Sequence, residues 1–291
     1  MALVLLASVL TAAACSNAVG VDVTLERETP PASPPPAVVV TPTPIPRATP
    51  SPPLKPLADP DAERRERPKR EVRTVKLQPR PAPGAFAMNL YRKGDFMHQA
   101  DKYSCVAGST QTMMNIIDEG RPNRSIAFQQ RLYQRGRELS PNKRKLGPIG
   151  IDLTGWAELL NTGGYGPYVV DGAATRRGAI RKAARALRMT NRPVGLVTWR
   201  GAHSWVMSGF TATADPAYSD DFKVKKVYIQ DTWYPYVSTI WGASRPPNAL
   251  VPVAALAEDY LPYARPRARY PKRDGRFMLI LPVLPPNTVA R

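Results

Sequence analysis

Two cysteines and two histidines are all that 291 residues supply for thiol or imidazole chemistry, so a Cys/His site has few arrangements to choose from. Cys105 opens a run in which Val106, Met113, Met114, Ile116 and Ile117 fall at helical spacing. A helix starting at Ser104 or Cys105 places the thiol among unpaired N–H groups at the positive end of the helix dipole, which favours a thiolate. His203 begins a predicted strand in Gly201-Ala-His-Ser-Trp-Val-Met, and Asp231 ends the next one in Val227-Tyr-Ile-Gln-Asp. Adjacent antiparallel strands can set that carboxylate beside the imidazole, where it would fix the tautomer and orient the ring. Taken singly each residue has a plainer reading: a small buried cysteine, a structural histidine, an acid in a turn. Their combination in one chain order carries the signal. His98 is the competing base, and no strand carboxylate is tied to it; it reads as a rim residue.

The elements needed to hold these groups are readable around them. Helices are predicted at 104–118, Ser125 to Glu138, Asp152 to Asn161 (capped by Asp152 or Thr154) and Ala173 to Arg188. After Pro193 the texture turns β-branched and aromatic, giving strands at Val194 to Trp199, Ser204 to Phe210, Lys225 to Asp231 and Arg276 to Leu281, with a short helix over Val253 to Tyr260. Helices first and hairpin-ordered strands after is an α+β pattern, a helical lobe packed on an antiparallel sheet. Along the second strand Trp205, Met207 and Gly209 alternate with Ser204, Val206 and Ser208, so Trp205 reads as core; Trp233 can be core or cleft wall.

Over Ala85 to Leu281 the chain resembles the papain-like cysteine peptidases of the C39 type, in particular the stand-alone C39-like domain of bacterial secreted proteins. The resemblance rests on Gln99 six residues before Cys105, an Asp-x-x-Ser-Cys approach, a small-His-x-Trp strand and an Asp followed by Trp after the next strand. It implies Cys105 as nucleophile, His203 as base, Asp231 as orienting group and Gln99 as an oxyanion donor. The activity implied is hydrolysis of a peptide or amide with no metal or organic cofactor. Two departures stand out: Val106-Ala107 replaces Gly-Pro after the nucleophile, and Asp231-Thr232 replaces Asp-Pro. A cell-wall amidase or acyl transferase of papain-like fold, and a non-catalytic peptide-binding module, stay open as alternatives.

A zinc site built from Cys and His would need all four such residues, and Cys15 has another use. Ala2 to Ala14 is an uncharged apolar run, too short to span a bilayer and suited to a signal peptide over residues 1–15. Its end, Thr11-Ala-Ala-Ala-Cys15, resembles the lipobox of bacterial lipoproteins, implying lipidation of Cys15 and a membrane anchor. Thirteen prolines between Pro30 and Pro60 make residues 16–83 an extended, then charged, tether ahead of a domain at 84–291. Net charge is +18. The basic residues are scattered and form no nucleic-acid motif, so they read as a solvated face, in an Arg-rich proteome or in an anionic envelope. The partner expected is a peptide or protein substrate, with a cell-envelope component among the candidates. No oligomer signal is present.

Overall fold

A computed structural model describes residues 84–141, 150–264 and 270–284. The apolar run, Cys15 and the proline-rich segment lie outside these residues. The four helices are α1 (Cys105–Ile117), α2 (Ile126–Leu139), α3 (Leu153–Thr162) and α4 (Arg176–Thr190). Three begin at side-chain caps that satisfy a first-turn N–H: Ser125 accepts from Phe128, Asp152 from Thr154 and Thr175 from Gly178. α4 ends at Asn191, whose left-handed backbone (φ 52°) returns its N–H to the Leu187 carbonyl.

The strands are β1 (Phe86–Asn89), β2 (Tyr168–Ala173), β3 (Val194–Thr198), β4 (His203–Ala212), β5 (Val224–Asp231), β6 (Val237–Ser238), β7 (Gly242–Ala243), β8 (Ala249–Pro252) and β9 (Phe277–Pro282). Seven form one antiparallel sheet in the order β2-β9-β3-β4-β5-β8, with β1 paired to the second half of β4. β6 and β7 make a separate hairpin. β1 crosses so close to β4 that a Cβ on Gly209 would lie 2.3 Å from the Met88 carbonyl oxygen; only glycine fits.

Both faces of this sheet are covered. Val206 of β4, Val197 of β3 and Ile280 of β9 pack with α1, α2 and α3, while Trp205, Met207, Leu196 and Leu279 from the same strands pack with Ala179, Ile180, Ala183 and Leu187 of α4. The period-2 alternation of the strands therefore feeds two apolar cores.

The α+β class holds, with four corrections to its layout. The fourth helix leaves the helical lobe for the opposite face of the sheet. It starts at Arg176, not Ala173, because residues 168–173 are extended as edge strand β2. The strand ending at Leu281 enters between β2 and β3, so hairpin order holds only through β3-β4-β5. Of the short helix at Val253 to Tyr260, only a 3-10 turn at Ala254–Ala257 forms.

Candidate active site

α1 is the central helix: Cys105 at its first position is half-buried, and every residue from Val106 to Ile116 is buried. Many of those are polar, and they hold the loop that leads into the thiol. Thr112 Oγ1 accepts the Met97 N–H (3.0 Å), and Asn115 donates to the Asp95 carbonyl (3.0 Å). Gln129 of α2 accepts the Ala100 N–H (2.6 Å) and donates to the His98 carbonyl (3.0 Å). A loop without ladder hydrogen bonds thus has its backbone groups paired by side chains, which fixes the approach to Cys105. Ser104 makes no side-chain cap on α1; its hydroxyl turns back to Asp101. The first-turn N–H groups thus carry no side-chain cap and are left for an anion, and that of Val106 helps to lower the thiol pKa.

His203 is the first residue of β4 and Asp231 the last of β5; both are buried. Asp231 pairs in register with Trp205, which makes it the diagonal neighbour of His203 on one face of the sheet. The distance from His203 Nε2 to Asp231 Oδ1 is 2.7 Å. The same carboxylate accepts the Trp233 N–H on Oδ1 (3.0 Å) and the Arg245 N–H on Oδ2 (3.3 Å). With Nε2 on the carboxylate, Nδ1 is the ring nitrogen left for the thiol.

Around the imidazole, Trp199 stacks at 4.1 Å between centroids and Trp233 lies edge-on at 6.5 Å. Trp199 reaches that position through a left-handed backbone (φ 50°) in the β3-β4 connection.

The charges follow from this packing. Burial alone would push the Cys105 thiol up, but the hydrogen bond and charge of His203, the Ser204 hydroxyl and the Val106 N–H together hold it below the ordinary thiol range. Burial would push His203 down, and the bonds to Asp231 and to the Cys105 thiol outweigh it, raising the imidazole to about 9. Both shifts favour a thiolate beside an imidazolium.

Gln99 is buried next to α1: its N–H donates to the Thr232 carbonyl (2.9 Å), and its Nε2 donates to the Asp101 carbonyl (2.7 Å). Thr232, where the resembled pattern has proline, donates its hydroxyl to Gln99 Oε1 (3.3 Å) and so fixes which way the amide faces. The close approach after the nucleophile occurs at Gly108, where a Cβ would sit 3.3 Å from Gln99 Cα. His98 is exposed, and its Nδ1 contacts the Gln99 carbonyl oxygen (3.0 Å), which makes that nitrogen the donor. Trp205 is buried in the core on the α4 side, as its alternation predicts.

Besides Trp199, Ser204 escaped the reading of the sequence. Ser204 faces α1, where its hydroxyl meets Ser109 Oγ at 2.9 Å and helps to lower the pKa of the Cys105 thiol, one helical turn before Ser109. The signal was present in two halves, the alternation of β4 and the i,i+4 spacing on α1, and only the fold joins them.

Among the described residues no group of three or more His, Cys, Asp or Glu side chains converges to hold a metal, and no helix is long and apolar enough to cross a membrane. No protein-family model and no curated protein matches the chain. Among solved structures it is similar to the crystal structure of UfSP from C. elegans, at 15% identity and a TM-score of 0.38, over 65% of this chain and 32% of that one.

Proposed function

We propose that the chain is a papain-like thiol hydrolase of the C39 type that cleaves a peptide or amide bond through a thiol acyl-enzyme. The observation that carries this reading is the line Cys105, His203, Asp231, with a 2.7 Å imidazole-carboxylate bond and the thiol at a helix N-terminus. The Cys105 thiolate attacks the carbonyl carbon. The Cys105 N–H and the second N–H of Gln99 Nε2, beyond the one given to Asp101, take the oxyanion. As the tetrahedral intermediate collapses, the C–N bond breaks and His203 gives its proton to the leaving amine, forming a thioester. His203, now neutral, takes a proton from water as the hydroxyl adds to the thioester carbon. The C–S bond then breaks, releasing the acid and restoring the thiolate-imidazolium pair. Asp231 holds the ring in the one tautomer that serves both proton transfers.

Export by the 1–15 segment, lipidation of Cys15 and a tether over 16–83 belong to the same proposal, which places the site at the cell envelope with peptide or protein substrates there. Cys15→Ser in the full chain should shift the protein out of the membrane fraction. Activity is tested with an unstructured protein such as casein: wild type should cut it, Cys105→Ala should not, and acid quenching should trap an acyl adduct on Cys105. A reactive thiolate without turnover on any peptide would favour the binding module.

A further inference from the structure

The exposed apolar surface of the described residues is concentrated at one place. Ile240, Val237 and Tyr236 are the three most exposed large hydrophobic side chains, at 77%, 69% and 52%. Val237 and Ile240 sit on the β6-β7 hairpin and Tyr236 immediately precedes it, in the excursion that begins where β5 ends at Asp231. This excursion is built, not slack: Ser238 Oγ accepts the N–H groups of Ile240 and Trp241 at the tip, and Gly242 takes the left-handed turn position (φ 78°). Tyr236 and Ser244 bond across its base, and the return strand is fastened by the Arg245 N–H on Asp231 Oδ2. The carboxylate that orients His203 therefore also fixes the hairpin.

Two aromatic series run from the imidazole onto the hairpin. His203 stacks on Trp199, and Trp199 on Trp241 with the planes 4° apart; in the other series Trp233 meets His203 edge-on and Tyr236 meets Trp233. Residues 232–244 contain no charged side chain, in a chain of net charge +18. An anionic lipid surface would be met by basic residues on such a loop; an uncharged apolar occupant matches what is there.

Building on the thiol hydrolase reading, we infer that the hairpin is a specificity wall for the substrate, which receives an apolar side chain of a peptide beside the bond that Cys105 attacks, with Ile240 and Trp241 as its main contacts. A large aliphatic or aromatic residue gains burial against this wall, and a glycine or serine gains none.

The test uses the full chain and two peptidyl chloromethyl ketones that differ in one residue, phenylalanine or glycine, with the rate of Cys105 modification by each followed by mass spectrometry. Each rate is divided by the iodoacetamide rate of the same variant, which scores the thiolate alone and so separates failure of this inference from failure of the catalytic reading. Wild type should prefer the phenylalanine reagent by about 10- to 100-fold. Ile240→Ser and Trp241→Ala should each cut that preference several-fold, and the double variant should bring it near unity. A wild type without preference, or a preference that survives in the double variant, overturns the inference. So does a preference unchanged while the variants dissociate a dimer or lose binding to phosphatidylcholine vesicles, since the hairpin would then serve a second copy or a lipid surface.

Discussion

Replacing Asp231 by Asn keeps the shape of the group opposite His203 and removes its charge, which isolates what the carboxylate does. At 2.7 Å between Nε2 and Oδ1 the charge centres are about 4 Å apart, and with an effective dielectric constant of about 20 their attraction is about 4 kcal/mol. At 1.36 kcal/mol per unit that is at most about 3 pKa units, because the amide keeps the hydrogen bond, so the imidazole should fall below its wild-type value of about 9. The amide oxygen can still accept from His203 Nε2 and Trp233 N–H, but the amide nitrogen then faces the Arg245 N–H, donor against donor, at a cost of about 1–3 kcal/mol. With only two histidines in the chain, ¹⁵N-histidine labelling gives a spectrum of two imidazoles, and titration from pH 5 to 10 reads each directly.

Folded His203 binds its proton more tightly than an unfolded histidine. That proton stabilises the fold fully below about pH 6.5, and the contribution is lost as pH rises through about 9. In Asp231→Asn this window should narrow from its upper end. The variant should keep measurable activity because the ring is still oriented, whereas Asp231→Ala, which strips three donors of their acceptor, should lose considerably more. A His203 titration that does not move in Asp231→Asn would refute the assignment of the carboxylate.

Three further outcomes are expected. Ser204→Ala removes a hydroxyl that bonds Ser109 and lowers the thiol pKa, so alkylation of Cys105 at pH 6 should slow about 10-fold while His203 stays paired with Asp231. Gln99→Ala should lower kcat by about 10²-fold, the scale of one lost oxyanion donor, as measured with any peptide the wild type cleaves. Gly195→Ala would drive a Cβ to 2.7 Å from the Trp156 ring, and thermal denaturation should show about 1–3 kcal/mol of lost stability.

The elements that carry the candidate site were legible where a residue type and an element boundary coincide. Cys105 had to start a helix, His203 a strand, and Asp231 had to end the neighbouring strand; all three do. The caps at Ser125 and Asp152 were equally local. Reading failed where partners are far apart in sequence. β2 and β1 are edge strands of six and four residues that pair with β9 and β4, far away in sequence. Gly172 and Ala173 in β2 carry no strand propensity, so the run blended into the helix that follows. The left-handed turn at Trp199, which brings its ring onto His203, has no glycine at that position to announce it. The same holds for the hairpin at 237–243: Ser238 and Gly242 are ordinary turn residues, and its place against Trp199 depends on Asp231 fastening both ends of the excursion at Trp233 and Arg245.

The central claim is that Cys105 and His203 form a thiolate-imidazolium pair, and the pH dependence of Cys105 alkylation by iodoacetamide tests it most directly. Wild type should label rapidly at pH 5 to 6, and His203→Ala should lose that low-pH reactivity and label only as an ordinary thiol of pKa about 8.5 ionises. A wild-type profile that rises only at pH 8 to 9, or one that His203→Ala leaves unchanged, would contradict the account.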